Sequence, residues 1–310
     1  MINFFSAFAH KLLTVEPLRE KQSILVKLFK KLFQSFTVKR IFLLAQPEER
    51  FVIADTDEGL SYVISTSDLA VGRMTLERRA SFDCEIVESA FAHLDYPVDT
   101  LFDIGANIGS ISLFSLKREY VSRCVAFEPD PTNFKLLQVN SMLNEMQNKI
   151  EAHNIALSDG STPTLELSLS STNHGAHETS FSNPQDPQGS KHMRQTSEVP
   201  AARVDQFFKE ETAGRAILWM DVQGFEGHVL KGATAMIAAK IPVVLEFDPL
   251  LLERVNGFEQ LLDTLSASPY TEIIDLRNRT QFLGGSINDR LMRIAEQLSG
   301  RYSYTDLLLR

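Results

Sequence analysis

The sequence predicts an α/β protein built on a doubly wound, mostly parallel sheet with helices on both faces. Two observations carry this. From Val98 onward, short apolar runs alternate with stretches of helical periodicity, the pattern of repeated β-α-β units whose strands are covered on both sides. The chain also has 310 residues, 44% of them hydrophobic and 23% charged, enough apolar material for a sizeable core and too much for a disordered chain.

Residues 1–95 read as an N-terminal extension and residues 96–310 as the main domain. Within the extension, apolar residues from Ile24 to Phe36 recur at helical spacing with lysines mostly between them, an amphipathic helix with a basic side. Residues 1–40 hold eight Lys or Arg against Glu16 and Glu20, a balance of +6 inside a chain of net charge -9. That acidic total argues against a general nucleic-acid binder. The basic arm is read first as a helix docked on its own domain, with peripheral contact at an anionic membrane surface or a partner as the alternative. Two cysteines, Cys84 and Cys124, are too few for a disulfide framework and point to a reducing, cytoplasmic setting. No apolar run approaches the roughly 18 residues of a spanning helix, so any membrane contact is expected at the inner face.

Short β-like runs follow at Ile41–Leu44, Phe51–Ala54 and Leu60–Ser65, then a helix over Ser81–Leu94 with Ser81 as its cap. In the main domain, strands are predicted at Val98–Ile104, Val121–Phe127, Ile150–Ala156, Ile217–Val222, Pro242–Phe247 and Thr271–Leu276. The helices between them are expected at Ile108–Arg118, Thr132–Asn144, Phe225–Lys240 and Phe258–Leu265, and Tyr304–Leu309 offers a further strand. Between Leu157 and Pro200 the composition is that of a long polar loop. It contains His174-x-x-His177, but with only Glu178 adjacent and the nearest cysteine at position 124 no metal site is predicted.

The strongest chemical signal is Asp103-Ile-Gly-Ala-Asn-Ile-Gly109, placed where a strand ends and a helix starts. In an open α/β sheet that turn faces the ligand crevice. Gly105 and Gly109 let backbone approach a ligand, and Asp103 accepts a hydrogen bond from it. A second strand ends in Ala126-Phe-Glu-Pro-Asp130, which sets Glu128 beside the same crevice with two oxygens suited to a ribose diol. A pyrophosphate fingerprint starting at Gly105 would need glycine at 107 and 110, where the chain has Asn107 and Ser110, so a cofactor without a pyrophosphate fits better.

Together with Asn133, Asn140, Asn154-Ile-Ala-Leu-Ser158, Met220-Asp-Val-Gln-Gly-Phe-Glu226, Val229-Leu-Lys-Gly-Ala233 and Val244-Leu-Glu246, these motifs resemble the FkbM family of S-adenosylmethionine-dependent methyltransferases, over about Phe82 to Asp248. The resemblance implies a seven-stranded Rossmann-like sheet whose last strand is antiparallel, and methyl transfer to a hydroxyl of a sugar, glycan or other small acceptor. It implies that Asp103, Gly105, Asn107 and Gly109 line the methionine and ribose part of S-adenosyl-L-methionine, that Glu128 holds the ribose, and that Pro129, Asp130 and Ala156 join the cofactor side. Asn140 is expected to tie its helix to the cofactor loop.

On the acceptor side Asp221 is the first candidate for the base, followed by Glu226 and Glu246, with His228 a weaker fourth. Members of the family often carry Lys where this chain has Trp219 and Glu where it has Gln223, and an amide cannot act as a base. Two other functions stand beside the O-methyltransferase: a catalytically silent cofactor-binding or membrane-docked module, suggested by Trp219, Gln223 and the basic helix, and a nicotinamide-dependent oxidoreductase, disfavoured by Asn107 and Ser110.

Overall fold

The computed structural model describes residues 51–170, 173–175, 177–180, 195–209, 214–298 and 304–310. The basic helix and the run Ile41–Leu44 lie outside them. The described chain opens with a hairpin, β1 (Phe51–Asp55) and β2 (Ser61–Ser65), and two helices, α1 (Val71–Arg78) and α2 (Cys84–Ala92). Two β-α units follow: β3 (Thr100–Ile104), α3 (Ser110–Lys117), β4 (Arg123–Phe127), α4 (Pro131–Leu143), ending in β5 (Ile150–His153). Next come β6 (Ala156–Leu157), β7 (Thr164–Leu169), β8 (Glu178–Ser180) and β9 (Gln195–Ala202). The last part comprises β10 (Ala216–Met220), α5 (Glu226–Lys231), α6 (Thr234–Ala238), β11 (Val243–Phe247), α7 (Pro249–Arg254), α8 (Gly257–Ser266), β12 (Ile273–Asp275), β13 (Thr280–Phe282), α9 (Ile287–Gln297) and β14 (Thr305–Leu309).

The central sheet has eight strands in the order β13-β12-β14-β11-β10-β3-β4-β5. The five strands from β11 to β5 run parallel, and β14 lies antiparallel between β11 and β12. Side chains alternate between two cores. Phe102, Ile104, Leu218 and Met220 join α5, α6, α8 and α9 on one face, while Leu101, Ile217 and Trp219 join α1 to α4 on the other. The β1–β2 hairpin shares that second core through Tyr62 and Ile64. Both cysteines are free. Among the described residues no helix is long and apolar enough to cross a membrane.

Several expectations need correction. The sheet has eight strands rather than seven; the extra edge strand is the short, polar β13, which carries no apolar signal. Residues 157–200 hold strands, not only loop: β6, β9, β7 and β8 form a second sheet in that order, with Leu165 and Leu167 buried between polar neighbours. The helix expected over Phe225–Lys240 breaks in two at Gly232, where a Cβ would sit 2.0 Å from the Ser158 carbonyl oxygen. The strand expected over Ile150–Ala156 is interrupted at Asn154, whose amide donates to the carbonyls of Glu128 and Pro129 at 2.8 and 3.0 Å. Ser81 does not cap α2; its hydroxyl pairs with Tyr62 Oη at 2.9 Å, and Asp83 in left-handed backbone precedes the helix. Helices α1, α7 and α9 are additions, the last begun by a capping box of Ser286 and Asp289.

The hairpin is fastened by two asparagines one turn apart on α4. Asn144 exchanges hydrogen bonds with the backbone of Ser61 at 3.0 and 2.8 Å, and Asn140 does so with Val63 at 2.6 and 3.3 Å. They act as a substitute strand along the free edge of β2. Asn140, fully buried, also donates to Ile108 O at 3.0 Å, so the predicted tie to the cofactor loop exists and extends to the hairpin. Asn140→Ala leaves buried backbone groups of both segments unpaired and should cost about 2–4 kcal/mol in urea unfolding, against about 1 kcal/mol for the less buried Asn144→Ala. Equal losses would deny Asn140 its place as the joint.

Candidate active site

A cavity of about 610 Å3 opens at the carboxyl ends of β3, β4, β10 and β11. Connections leave β3 toward β4 on one side and β10 toward β11 on the other, so the cavity occupies the switch point at which such sheets bind ligands. Asp103, Gly105, Asn107, Glu128 and Pro129 line one half, and Trp219, Asp221, Gln223 and Glu246 the other.

The turn after β3 is held by β4. The amides of Gly105 and Ala106 both donate to Phe127 O, at 2.9 and 3.0 Å. Gly105, Asn107 and Gly109 adopt left-handed backbone, with φ of 81, 52 and 90°. A Cβ on Gly105 would stand 2.0 Å from the Asp221 carbonyl oxygen, so the missing side chain lets the β3 and β10 turns touch each other. Gly109 is bare for another reason: Leu137 of α4 fills the space at 2.6 Å.

Glu128 is 4% exposed, and its two oxygens accept the amides of Asn107 and Asp130, each at 2.8 Å. Burial nevertheless pushes its carboxyl up to about 8, against the pull of those two amides. A carboxylate has about four acceptor positions, so two remain open on Glu128. Asp103, 1% exposed, takes the Ser112 hydroxyl at 2.5 Å and is raised by burial to about 6.

The acceptor side is acidic. Asp221 and Glu246 are half-buried, and Gln223 Nε2 donates to both, at 2.7 and 2.9 Å. Burial raises Asp221, and burial together with the Asp221 charge raises Glu246 well above its ordinary value. Behind them Glu226, 1% exposed, accepts the amides of Val222 at 3.0 Å and Gly224 at 3.4 Å and is raised by burial to about 8. Asp306 of β14, raised by burial to about 7, faces Arg277, which also reaches Asp83 at 3.4 Å and lies 4.6 Å over the Tyr304 ring.

Four expected site residues lie off the cavity wall. Asp130 caps α4 by accepting the amides of Thr132 and Asn133 at 2.9 and 2.8 Å. Ala156 belongs to β6 and the core, Gly109 sits under Leu137, and Glu226 lies below the cavity floor. His228 is a positioning group: its Nε2 meets Val255 O at 2.9 Å and burial lowers its pKa. Trp219 packs in the core at 4% exposure and also lines the cavity.

The outer wall comes from the N-terminal extension and from the polar stretch that holds His174 and His177. Ala70, Val71 and Met74 of α1 and Phe82 contribute to it, as do Asn173 to Gly175 and His177 to Thr179. The backbone carbonyl of His174 accepts Asn133 Nδ2 at 2.9 Å, its ring pairs with Ser67 Oγ at 3.1 Å, and its amide reaches Asp68 at 3.4 Å. His177 Nδ1 accepts the Ser170 amide at 3.0 Å. His174 fastens the wall to α4 and to the segment just before α1.

The family model of the methyltransferase FkbM domain matches residues 103–275, more than half of the chain. This chain belongs to the FkbM methyltransferase family. It is an S-adenosylmethionine-dependent methyltransferase domain by that membership, and the matched span contains the cofactor turn, Glu128 and all three floor carboxylates. Among solved structures, the FkbM methyltransferase of Methylobacillus flagellatus KT is similar at 18% identity, covering 71% of this chain and 45% of its own, with a TM-score of 0.42. This chain thus spans less than half the length of that relative. A tRNA (uracil-54, C5)-methyltransferase of Pyrococcus abyssi, in complex with S-adenosyl-L-homocysteine, is similar at 10% identity, 84% of this chain and 43% of its own, with a TM-score of 0.39. No curated protein matches the chain.

The buried acids of this FkbM domain set its pH dependence. Asp103, Asp306, Glu128 and Glu226 are held at about 6, 7, 8 and 8, all above their ordinary values. Between about pH 4.5 and 8 the folded protein therefore binds more protons than the unfolded chain, and stability falls as pH rises. Each such group contributes at most about 1.4 kcal/mol per pH unit. Protein free of cofactor and cations should melt several degrees higher at pH 5.5 than at 8.5 in a fluorimetric melt; a melting temperature that climbs with pH contradicts the assignment.

Proposed function

We propose that this domain is an O-methyltransferase that transfers the methyl of S-adenosylmethionine to a hydroxyl of a sugar, glycan or other small acceptor. The observation that carries the reading is one cavity with Glu128 on one side and the Asp221–Glu246 carboxyl pair on the other. The cofactor, when bound, supplies a methyl group on a sulfonium sulfur, already an activated electrophile. The protein's work is then alignment, exclusion of water and removal of one proton.

Glu128 accepts the two ribose hydroxyls, and its remaining charge is steadied by the Asn107 and Asp130 amides. Asp221 accepts the acceptor's hydroxyl proton as the new C–O bond forms and the C–S bond breaks, with S-adenosylhomocysteine as the second product. Gln223 orients both floor carboxyls through its amide. The acidic lining favours a cationic cofactor over its neutral product. That Gln223 engages Asp221 and Glu246 together also supports a second reading, a cofactor-binding module without transfer.

Two variants separate the halves of the site. Glu128→Ala removes two charge-assisted hydrogen bonds and should raise the S-adenosylmethionine Kd by about 100-fold in calorimetry. Asp221→Asn should leave that Kd within about threefold while lowering transfer of labelled methyl to a panel of hydroxylated sugars by about 100-fold or more. Wild-type protein that binds the cofactor and labels no hydroxyl acceptor in the panel or in cell extract favours the silent module.

A further inference from the structure

Asp221, Glu226 and Glu246 each place a carboxylate oxygen so that the three lie within 4.8 Å of one another. Three acids at that spacing repel, and the surroundings add to the repulsion. Asp306 and Asp83 stand nearby, and the guanidinium of Arg277 is shared between those two. What Asp221 and Glu246 receive is the amide of Gln223, a neutral donor held between two acids.

Glu226 supplies a separate observation. Its side chain is 1% exposed; one oxygen takes the amides of Val222 and Gly224, and the other, Oε2, is buried without a hydrogen-bond partner. A buried carboxylate oxygen without a partner, on a side chain that stands within reach of two further carboxylates, is a position that a ligand can satisfy. Asp221 and Glu246 line the cavity, and Glu226 does not.

We infer that Asp221, Glu226 and Glu246 bind a divalent, oxygen-preferring cation of the Mg2+ or Mn2+ class, with the Gln223 carbonyl oxygen as a further ligand once its amide turns. Carboxylates from three separate points of the fold form a hard donor set with no sulfur or imidazole, which selects this class over Zn2+ or Cu2+. The site belongs to the chain whatever its substrate. Its purpose rests on the methyltransferase reading: a cation on this floor ligates the acceptor oxygen, lowers the pKa of that hydroxyl and fixes its direction, and the proton passes to a carboxylate oxygen that the cation leaves open. The histidines that suggested metal binding in the sequence take no part.

Trp219 makes the inference measurable. It is the chain's single tryptophan, lines the same cavity and precedes Asp221 by two residues on a strand, about 7 Å along the backbone. Full-length protein stripped with chelator and titrated with Tb3+ under tryptophan excitation should show saturable sensitised emission at one ion per chain, reversed by Mn2+ and Mg2+. Glu226→Gln and Glu246→Gln should each weaken Tb3+ binding at least tenfold, while Glu151→Gln on the exposed end of β5 changes nothing. Both floor variants remove repulsion, so they should melt no lower than wild type in the absence of metal, which separates loss of a ligand from loss of fold. Absence of saturable emission, or an unchanged titration in folded Glu226→Gln, overturns the cation site. Calorimetry with S-adenosylmethionine on the same samples keeps the two claims apart. Cofactor binding without Tb3+ binding removes only the cation, and Tb3+ binding without cofactor binding removes only the methyltransferase reading.

Discussion

The site depends on the contact between two backbone turns. Gly105, at φ 81°, presents no side chain to the Asp221 carbonyl, which lies 2.0 Å from where a Cβ would be. The Asp221 amide in turn donates to Ile104 O at 3.0 Å, continuing the parallel pairing of β3 and β10 past the last sheet residues. The cofactor turn and the acceptor turn therefore form one rigid piece. Glu128 joins the same piece through the Asn107 amide, so Glu128 and Asp221 are positioned by one set of backbone bonds. A methyl transfer that relies on alignment needs this kind of frame, because an error of about 1 Å between reacting groups costs about two orders of magnitude in rate.

Electrostatics works against the fold at the same place. The protein buries acids on both sides of the cavity, and each is pushed toward its neutral form by lost hydration. Arg277 stands close to these acids and is shared between Asp306 and Asp83. Such crowding is unfavourable in the empty protein and becomes favourable when a positive charge enters, whether a sulfonium or a metal ion. The scaffold tolerates the cost because both faces of the sheet are packed with apolar side chains directly beneath it.

Much of this was legible in the sequence, for identifiable reasons. Parallel strands buried on both sides leave unbroken apolar runs, so β3, β4, β10 and β11 could be placed within two residues of their ends. The turn at Gly105 and the carboxylate at Glu128 stood out because both follow the carboxyl ends of apolar strands, where open α/β sheets bind ligands. The outer wall was not legible. His174 stands in a polar stretch, and its place in the wall comes from hydrogen bonds to Ser67, Asp68 and Asn133, partners 41 to 107 positions away. Asp130 and Ala156 show the converse. They stand in motifs that carry the site, yet one caps a helix and the other packs in the core, because a motif preserves the frame of a site along with its contacts.

The two departures from the family pattern are best understood together. The resemblance to the family implies Lys at the position of Trp219 and Glu at that of Gln223, so against that pattern one positive and one negative charge are absent from residues that line the same cavity. The net charge of the acceptor side is unchanged. What changes is its distribution: the carboxylates of Asp221, Glu226 and Glu246 remain, the cation that would have faced them is replaced by an indole 4% exposed, and the extra acid by an amide that donates to two of the three. A lysine at position 219 would satisfy these acids from within the chain. With tryptophan there, the positive charge they require has to arrive from outside, so the same substitutions that remove a fixed charge make the acidic floor more dependent on what it binds.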